Sequence, residues 1–200
     1  MEYLSKTPDL AIINLIDSLR LIKDAASFPL FYKTDHHWNP YGAFQASQCI
    51  LKRLKVDFPN LDSLETSAYN FELQSQPGRV TARMLKLENH LKDDNPVLHY
   101  HGAVTLDTIP NFYPVPETFP YKDEYVIILQ SSKTEAPSMM MVRESFGVQI
   151  IPVLSHYFSK STYVFDTWNH KLNPDIVENE KPDIYLQMIY ERLLDKLLND

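Results

Sequence analysis

The chain has 200 residues, and 44% of them are hydrophobic. This length allows one domain with a substantial core and is too short for two domains of ordinary size. The formal net charge is −7 and no long cluster of Lys or Arg occurs, which excludes a basic surface for nucleic acid. The same acidic balance argues against docking on anionic lipid.

The cysteine content and the N-terminal residues bear on the compartment. The single cysteine, Cys49, excludes an intrachain disulfide, and its helical setting predicts an inert, buried thiol. No apolar run reaches the roughly 18 residues that indicate a membrane span. Residues 1–9 lack the basic start and apolar stretch of a signal peptide, so we expect either a cytoplasmic protein or a piece of a longer one.

The first third of the chain is predicted to place a loop in front of a helix. Residues 10–15 form a short apolar run typical of a strand, and residues 16–26 show apolar side chains at helical spacing. Asn39 and Pro40 form a favourable helix start, so we expect a helix from there to about residue 54. The segment 35–38, Asp-His-His-Trp, therefore lies in a loop, where functional side chains often occur.

The middle of the chain, residues 56–125, is predicted to be an irregular insertion of short strands and loops. Residues 55–125 contain seven prolines, and the run at 111–116 cannot form a regular helix. His99 and His101 alternate as two residues on one face of a strand would, which is one arrangement of metal ligands. No third ligand is placed near them, so a structural role is favoured.

The C-terminal part alternates predicted strands with predicted helices. Strands are expected at residues 125–130, 138–143, 161–166 and 181–188, and helices at 148–158 and 190–198. The apolar run at 138–143 indicates a strand that is buried on both faces, as in a parallel sheet. This alternation predicts an α/β sandwich with a mostly parallel sheet, built as a single domain over residues 1–200.

Ser145 is the serine best placed for nucleophilic chemistry. It follows the predicted strand at 138–143 and precedes Phe146, Gly147 and a helical pattern. A turn from a buried parallel strand into a helix can expose a hydroxyl beside backbone N–H groups that hold an oxyanion. The alternative interpretation is that Ser145 only caps the helix, because serine is a favoured cap residue.

The adjacent Asp35, His36 and His37 are candidates for acid–base chemistry. Asp35 and His37 are two positions apart, so in an extended loop the carboxylate can orient the imidazole while its other nitrogen serves the serine. A second interpretation is metal binding through all three residues, which is less favoured because metal ligands usually come from spaced positions. A third, which the spacing alone favours, is that ordinary solvent-exposed histidines precede a capped helix.

Two segments resemble one known family. Residues 32–43, Tyr-Lys-Thr-Asp-His-His-Trp-Asn-Pro-Tyr-Gly-Ala, resemble the Y-x-T-D-x-H-W-x-P-x-G-A segment of the SGNH-hydrolase-like family of DHHW proteins and alginate O-acetyltransferase AlgX- and AlgJ-like proteins. Residues 142–147, Val-Arg-Glu-Ser-Phe-Gly, resemble its R/G-D-S-F nucleophile segment, with Glu144 in place of Asp. Residues 150–158 and 181–192 resemble the helix that follows and the closing strand and helix.

The resemblance implies a fold and a reaction. The fold is a flavodoxin-like three-layer sandwich of SGNH type, with a permuted motif order because the Asp/His segment precedes the serine. Ser145, His37 and Asp35 match the catalytic triad, which needs no metal and no organic cofactor. An acyl group, such as acetyl, passes from a donor to Ser145 and then to a hydroxyl of a cell-surface carbohydrate or to water.

The same resemblance suggests further residues and partners. Trp38, Asn39, Arg143 and Asn169 are the remaining candidates for substrate or oxyanion contacts. Family members carry an earlier strand and helix, so part of the oxyanion site is expected to be absent here or supplied by another polypeptide of an acetylation system. The family implies a periplasmic or cell-surface location. The alternative function is a non-catalytic accessory protein that binds glycan or a biosynthesis partner.

Overall fold

The computed structural model describes residues 11–166 and 174–198. The chain forms two compact units, Met1–Tyr100 and His101–Asp200. Helices and strands occur in both units, so the predicted mixed α/β class is confirmed. The single domain over residues 1–200, with its insertion at 56–125, stays a prediction.

The first unit combines helices with one long hairpin. Its elements are α1 (Leu15–Ile22), α2 (Pro40–Asp57), β1 (Tyr69–Pro77), α3 (Val80–Met84) and β2 (Lys92–Tyr100). The strand predicted at residues 10–15 is wrong for its described part. The Asn14 side chain accepts hydrogen bonds from the backbone N–H groups of Ile16 and Asp17, so it caps α1 and starts a helix there.

Helix α2 confirms the predicted loop-to-helix transition. Asn39 is its N-cap and accepts a 2.9 Å hydrogen bond from the backbone N–H of Gly42, while Pro40 occupies the first turn. Cys49 lies half-buried within this helix. Gly42 is required here, because a Cβ at this position would lie 2.0 Å from the carbonyl oxygen of Leu30.

The hairpin of β1 and β2 packs aromatic side chains beside α2. The two strands pair antiparallel from Tyr69 opposite Tyr100 to Pro77 opposite Lys92. The rings of Tyr41 and Phe44 stand edge-on to the ring of Phe71, with centroids 4.9 and 5.3 Å apart. These rings therefore form core packing, which is the commonest use of large aromatic side chains.

The second unit is built on a five-stranded sheet. Its strands are β3 (Leu106–Ile109), β4 (Val126–Ser131), β5 (Met139–Arg143), β6 (Lys160–Phe165) and β7 (Ile184–Gln187), in the order β3-β4-β6-β5-β7. Strand β5 runs parallel to both its neighbours, β6 and β7. Strands β3 and β4 pair antiparallel with each other, and β4 pairs antiparallel with β6. The described sheet is mixed, so the prediction of a mostly parallel sheet is not confirmed.

The chain after β5 is helical but interrupted. A 3-10 turn spans Ser145–Gln149, α4 spans Ile151–Leu154, and a second 3-10 turn spans Ser155–Tyr157. The predicted continuous helix at 148–158 is therefore wrong. Pro152 lies in the first turn of α4 and lacks the N–H that an unbroken helix would need at this position.

The remaining C-terminal elements are α5 (Pro174–Glu180), β7 and a 3-10 helix at Glu191–Leu198. The core of this unit packs apolar residues of the sheet against Phe119 and Ile176. Within residues 11–166 and 174–198, no helix combines the length and the apolar character that crossing a membrane requires.

Candidate active site

The loop before α2 holds an aspartate–histidine pair. An isolated bridge between Phe31 and Trp38 closes this loop at its base. Within it, the Nδ1 atom of His37 lies 2.7 Å from Oδ1 of Asp35, and the backbone N–H of His37 donates to the same oxygen at 3.2 Å. The Asp35 side chain is only 1% exposed and that of His37 is 20% exposed. A buried carboxylate thus holds one ring nitrogen of a partly accessible imidazole.

A second residue, Arg79, contacts the other oxygen of Asp35. Its Nε donates to Oδ2 at 3.4 Å. Burial alone would raise the pKa of Asp35, but the hydrogen bonds from the His37 ring, from the His37 backbone and from Arg79 lower it overall. Asp35 is therefore held as a carboxylate, which is the form that orients and supports an imidazole.

The loop itself is anchored by Asp93 on β2. This residue is 1% exposed, and its carboxylate accepts hydrogen bonds from the backbone N–H of Lys33 at 2.9 Å and of Thr34 at 2.8 Å. The hydroxyl of Thr34 also donates to it. The Thr34 carbonyl oxygen accepts a 3.1 Å hydrogen bond from the N–H of Thr81 in α3. The hairpin and α3 therefore fix the residues directly before Asp35.

His36 adds a possible third ligand for a metal ion. Its Nδ1 lies 3.5 Å from Oδ1 of Asp35, and its ring centroid is 4.0 Å from that of His37. One ligand atom from each of Asp35, His36 and His37 lies within 4.8 Å of the others. Imidazole nitrogens and a carboxylate oxygen suit Zn²⁺, so this cluster has the ligand types of a metal site. His99 instead places its Nε2 3.5 Å from Oε2 of Glu72. Among the described residues, no cluster of potential metal ligands includes His99.

Ser145 lies two residues after the end of β5, whose five residues are all buried. It is half-buried, and its Oγ lies 3.3 Å from Oε2 of Glu144. The Glu144 carboxylate also accepts from the N–H of Phe146 at 3.0 Å, and the Glu144 carbonyl accepts from the N–H of Gly147 at 3.0 Å. Glu144 thus caps the turn that presents Ser145, despite being longer than the aspartate of the family motif.

Arg143 is part of the support of this turn. Its side chain is fully buried, with Nη2 donating to the Glu124 carbonyl at 3.0 Å and the guanidinium 4.3 Å from the ring centre of Phe165. Burial lowers the pKa of Arg143 to about 10. Its Nη2 also lies 3.9 Å from Oε2 of Glu124, an ion pair that occupies the guanidinium. Substrate binding by Arg143 stays a prediction.

The other candidate residues are packed or lie outside the description. Trp38 is 4% exposed and Asn39 is fully buried. The Asn39 amide caps α2 and donates to the Pro29 carbonyl at 2.6 Å, so both its functional groups have structural partners. Asn169 lies outside the described residues. Substrate contacts by these three residues stay predictions.

Arg79 and Asp93 are the residues that sequence reasoning missed. Neither stands within the motif at 32–43, and each reaches it across more than forty positions of chain. The available signal was weak. Gly78 and Arg79 open a short helical pattern, and Asp93 is one of several polar residues at the start of β2. No spacing rule connects them to Asp35, because the hairpin register makes the connection.

A family comparison identifies the region that carries the aspartate–histidine pair. Residues 9–99 match the family model described as SGNH hydrolase-like domain, acetyltransferase AlgX. The AlgX-like region, residues 9–99, contains the loop at 32–43, α3 and all of the hairpin except Tyr100, and it ends before Ser145. This match confirms the predicted resemblance. No curated protein matches the chain significantly.

Solved structures extend the likeness over most of the chain. A DHHW family protein from Eubacterium siraeum is 14% identical with a TM-score of 0.65, over 92% of this chain and 66% of that one. PatB1 of Bacillus cereus with a sulfonyl adduct is 15% identical with a TM-score of 0.66, over 96% of this chain and 72% of that one. The O-acetyltransferase domain of Pseudomonas putida AlgJ is 14% identical with a TM-score of 0.51, over 90% of this chain and 59% of that one. At this identity, these structures show a shared mixed α/β fold alone, and the SGNH hydrolase-like description comes from the family model over residues 9–99.

Proposed function

We propose that this protein transfers an O-acyl group, such as acetyl, through Ser145, to a hydroxyl of a cell-surface carbohydrate or to water. The observation that carries the proposal is the 2.7 Å contact between His37 Nδ1 and the buried Asp35 carboxylate. In this contact Nδ1 carries the proton and donates it to the Asp35 carboxylate, so Nε2 is the basic atom of the ring. An imidazole in this tautomer is the general base that a serine nucleophile requires.

Two further observations support the assignment. The pair lies within the AlgX-like region, and Ser145 follows a buried strand that is parallel to both neighbours. Among the proteins with a similar fold, one is an O-acetyltransferase domain. The two halves of the proposed triad belong to different units of the chain, so their meeting is part of the proposal. We also propose the three-layer fold with permuted motif order and a periplasmic or cell-surface location.

The proposed reaction has two balanced halves. His37 Nε2 takes the proton of the Ser145 hydroxyl while Oγ bonds to the acyl carbon of the donor. The tetrahedral intermediate collapses when the bond to the leaving oxygen breaks, and that oxygen receives the proton from His37. The acceptor hydroxyl or water then gives a proton to His37 and bonds to the acyl carbon. Ser145 Oγ leaves and is reprotonated, while Asp35 supports the imidazolium in both halves.

The oxyanion donors of this reaction are restricted by the turn at Ser145. The N–H groups of Phe146 and Gly147 already donate to Glu144, at 3.0 Å each. We therefore propose that donors from another polypeptide of an acetylation system complete the oxyanion site beside this turn. Removal of one such donor typically costs about 10²–10³-fold in rate.

Covalent labelling tests the proposed nucleophile. A sulfonyl fluoride or fluorophosphonate probe is expected to label the chain at a single site. Labelling should disappear in Ser145→Ala and fall strongly in His37→Ala, while the exposed Ser75→Ala serves as a matched control. Peptide mass mapping then locates the adduct. Folded protein without labelling at Ser145 would overturn the acyl-transfer proposal and favour the accessory, glycan-binding alternative.

A further inference from the structure

We infer that Arg79 is a positioning residue that keeps the Asp35 carboxylate in the one rotation that pairs with His37. The inference rests on the proposed function and deepens it. Its starting point is that the two oxygens of the Asp35 carboxylate have different partners. Oδ1 lies 2.7 Å from the His37 ring, whereas Oδ2 accepts from Arg79 Nε at 3.4 Å.

Arg79 is itself held on two sides, as a positioning residue must be. Its guanidinium carbon lies 4.0 Å from the centre of the Tyr32 ring, a cation–π contact that orients the planar group. The Tyr32 hydroxyl is anchored in turn to Asn95 of β2 at 3.0 Å. At the backbone, the Arg79 N–H donates to the Thr34 hydroxyl oxygen at 2.9 Å. The hairpin and the loop thus present Nε to Asp35 from a restrained side chain.

The need for such a residue comes from a competition at Asp35. Two imidazoles face the same oxygen, because Nδ1 of His36 lies 3.5 Å from the Oδ1 atom that His37 contacts at 2.7 Å. Rotation of the carboxylate would let His36 take an oxygen and would release the Nδ1 proton of His37. A charge-assisted contact from Arg79 to Oδ2 opposes this rotation. Arg79 therefore acts on the tautomer of His37 without touching it.

The ring tautomer of His37 is the direct measurement. In ¹⁵N-labelled protein, the ring nitrogen shifts report which nitrogen carries the proton, and a His37→Gln spectrum assigns the signals. The wild type is expected to hold the Nδ1–H tautomer. Arg79→Met should give a mixture of tautomers. The control is Arg83→Met, which changes an exposed arginine of the short helix α3 that Arg79 precedes, and it should match the wild type. An unchanged His37 tautomer in Arg79→Met would overturn the inference.

A conservative variant and a rate measurement separate positioning from simple structural support. Arg79→Lys keeps the charge and the aliphatic stem, so it should recover the wild-type tautomer in part. The rate of Ser145 labelling should fall about ten-fold in Arg79→Met, in the range seen for outer partners that orient a functional histidine. If Arg79→Met does not fold, Arg79→Lys decides, and full wild-type behaviour of its tautomer and its pH profile would count against the inference.

The tautomer experiment also keeps this inference distinct from the proposed function. It needs no substrate and no catalytic turnover. A chain that is never labelled at Ser145, yet loses the Nδ1–H tautomer in Arg79→Met, would retain the positioning role and lose the acyl-transfer proposal. If Ser145 is labelled but the His37 tautomer is the same in Arg79→Met as in the wild type, the acyl-transfer proposal would be retained and the positioning role would be lost.

Discussion

At the residue scale, the chemistry of the candidate site depends on one buried carboxylate. Asp35 is almost fully removed from water, which by itself favours the protonated acid. Two hydrogen bonds from His37, the electrostatic attraction of its ring and a hydrogen bond from Arg79 together outweigh that effect and lower the pKa of Asp35. The charge is therefore retained at the position where a proposed general base needs it.

The substitution Asp35→Asn tests this charge with little change in shape. An amide can present its NH₂ group to His37 Nδ1, which favours the wrong tautomer and removes the charge that supports the imidazolium. We expect the rate of Ser145 labelling to fall by about 10³–10⁴-fold, as in comparable triads. Labelling with a fluorophosphonate probe, quenched at a series of times, measures the rate, and circular dichroism confirms folding. A loss under ten-fold would contradict the role of Asp35.

The same carboxylate makes a specific contribution to the pH dependence of stability. The pKa of Asp35 is lower in the folded chain than its ordinary value, so the unfolded chain binds more protons near that value. The stabilisation is present above the ordinary pKa of about 4 and is lost as the pH falls through the lowered folded value. Urea unfolding at pH 7 and pH 3 should show a smaller loss of stability in Asp35→Asn than in the wild type. The exposed Asp24→Asn should behave as the wild type.

At the element scale, the hairpin positions the loop through Asp93. This buried carboxylate receives two backbone N–H groups and one hydroxyl from Lys33 and Thr34. Lys33 also forms a 2.6 Å ion pair with the neighbouring Asp94, whose side chain is 42% exposed. Asp93 thus anchors the loop through buried hydrogen bonds, while the adjacent Asp94 binds the same loop through an exposed ion pair.

The pair of substitutions Asp93→Ala and Asp94→Ala separates these two contacts. Asp93→Ala leaves buried donors without a partner, so we expect the free energy of unfolding to fall by about 3 kcal/mol. Asp94→Ala removes an exposed ion pair and should cost less than about 1 kcal/mol. Urea titration measures both values. Equal losses would contradict the anchoring role of Asp93.

The turn after β5 depends on a close approach between Gly147 and Arg143. A Cβ at position 147 would lie 2.6 Å from Cδ and 2.7 Å from Cβ of Arg143. Arg143 is fully buried, so it has little space in which to move away. Contacts this short force the neighbouring turn to shift, and Ser145 lies within that turn.

Gly147→Ala is therefore expected to disturb both stability and labelling. Overpacking of a buried contact costs about 1–3 kcal/mol, which thermal unfolding would detect. The labelling rate at Ser145 should fall further than this loss of stability explains, because the turn moves. Val148→Ala, at the exposed neighbouring position, is the control. A variant with wild-type stability would show that the turn adapts freely.

At the scale of the whole molecule, two chemistries compete for the same side chains: the proposed triad and metal binding. Asp35, His36 and His37 form a cluster that would suit an ion, and the same Asp35 and His37 belong to the proposed triad. A metal on Nδ1 of His37 would displace the proton that the carboxylate holds. The two uses of this cluster therefore exclude each other.

Chelation distinguishes them in one experiment. For the triad, incubation with EDTA followed by dialysis should leave the labelling rate of Ser145 unchanged, and added Zn²⁺ should lower it. His36→Ala, which removes one ligand outside the triad, should weaken the effect of Zn²⁺. Activity that vanishes with EDTA and returns with a divalent ion would contradict the triad as proposed.

The sequence by itself determined the features that depend on neighbouring residues. Asn39 and Pro40 start α2 because a cap and a missing N–H act within one helical turn. The apolar run in β5 is a strand buried along its length, as its composition indicated. The spacing of Asp35 and His37 allowed the two side chains to meet but did not decide it, and the folded loop brings His37 Nδ1 to 2.7 Å from Asp35 Oδ1.

Only the tertiary structure decided the features that depend on distant pairing. The strands β1 and β2 are rich in polar residues, and Pro96 lies opposite Leu73, so no local pattern predicted the hairpin that brings Arg79 and Asp93 to the loop. The antiparallel pairing of β4 with β6 likewise leaves no trace in the composition of β4. Local rules act over a few residues, whereas strand register is set by packing between segments far apart in the chain.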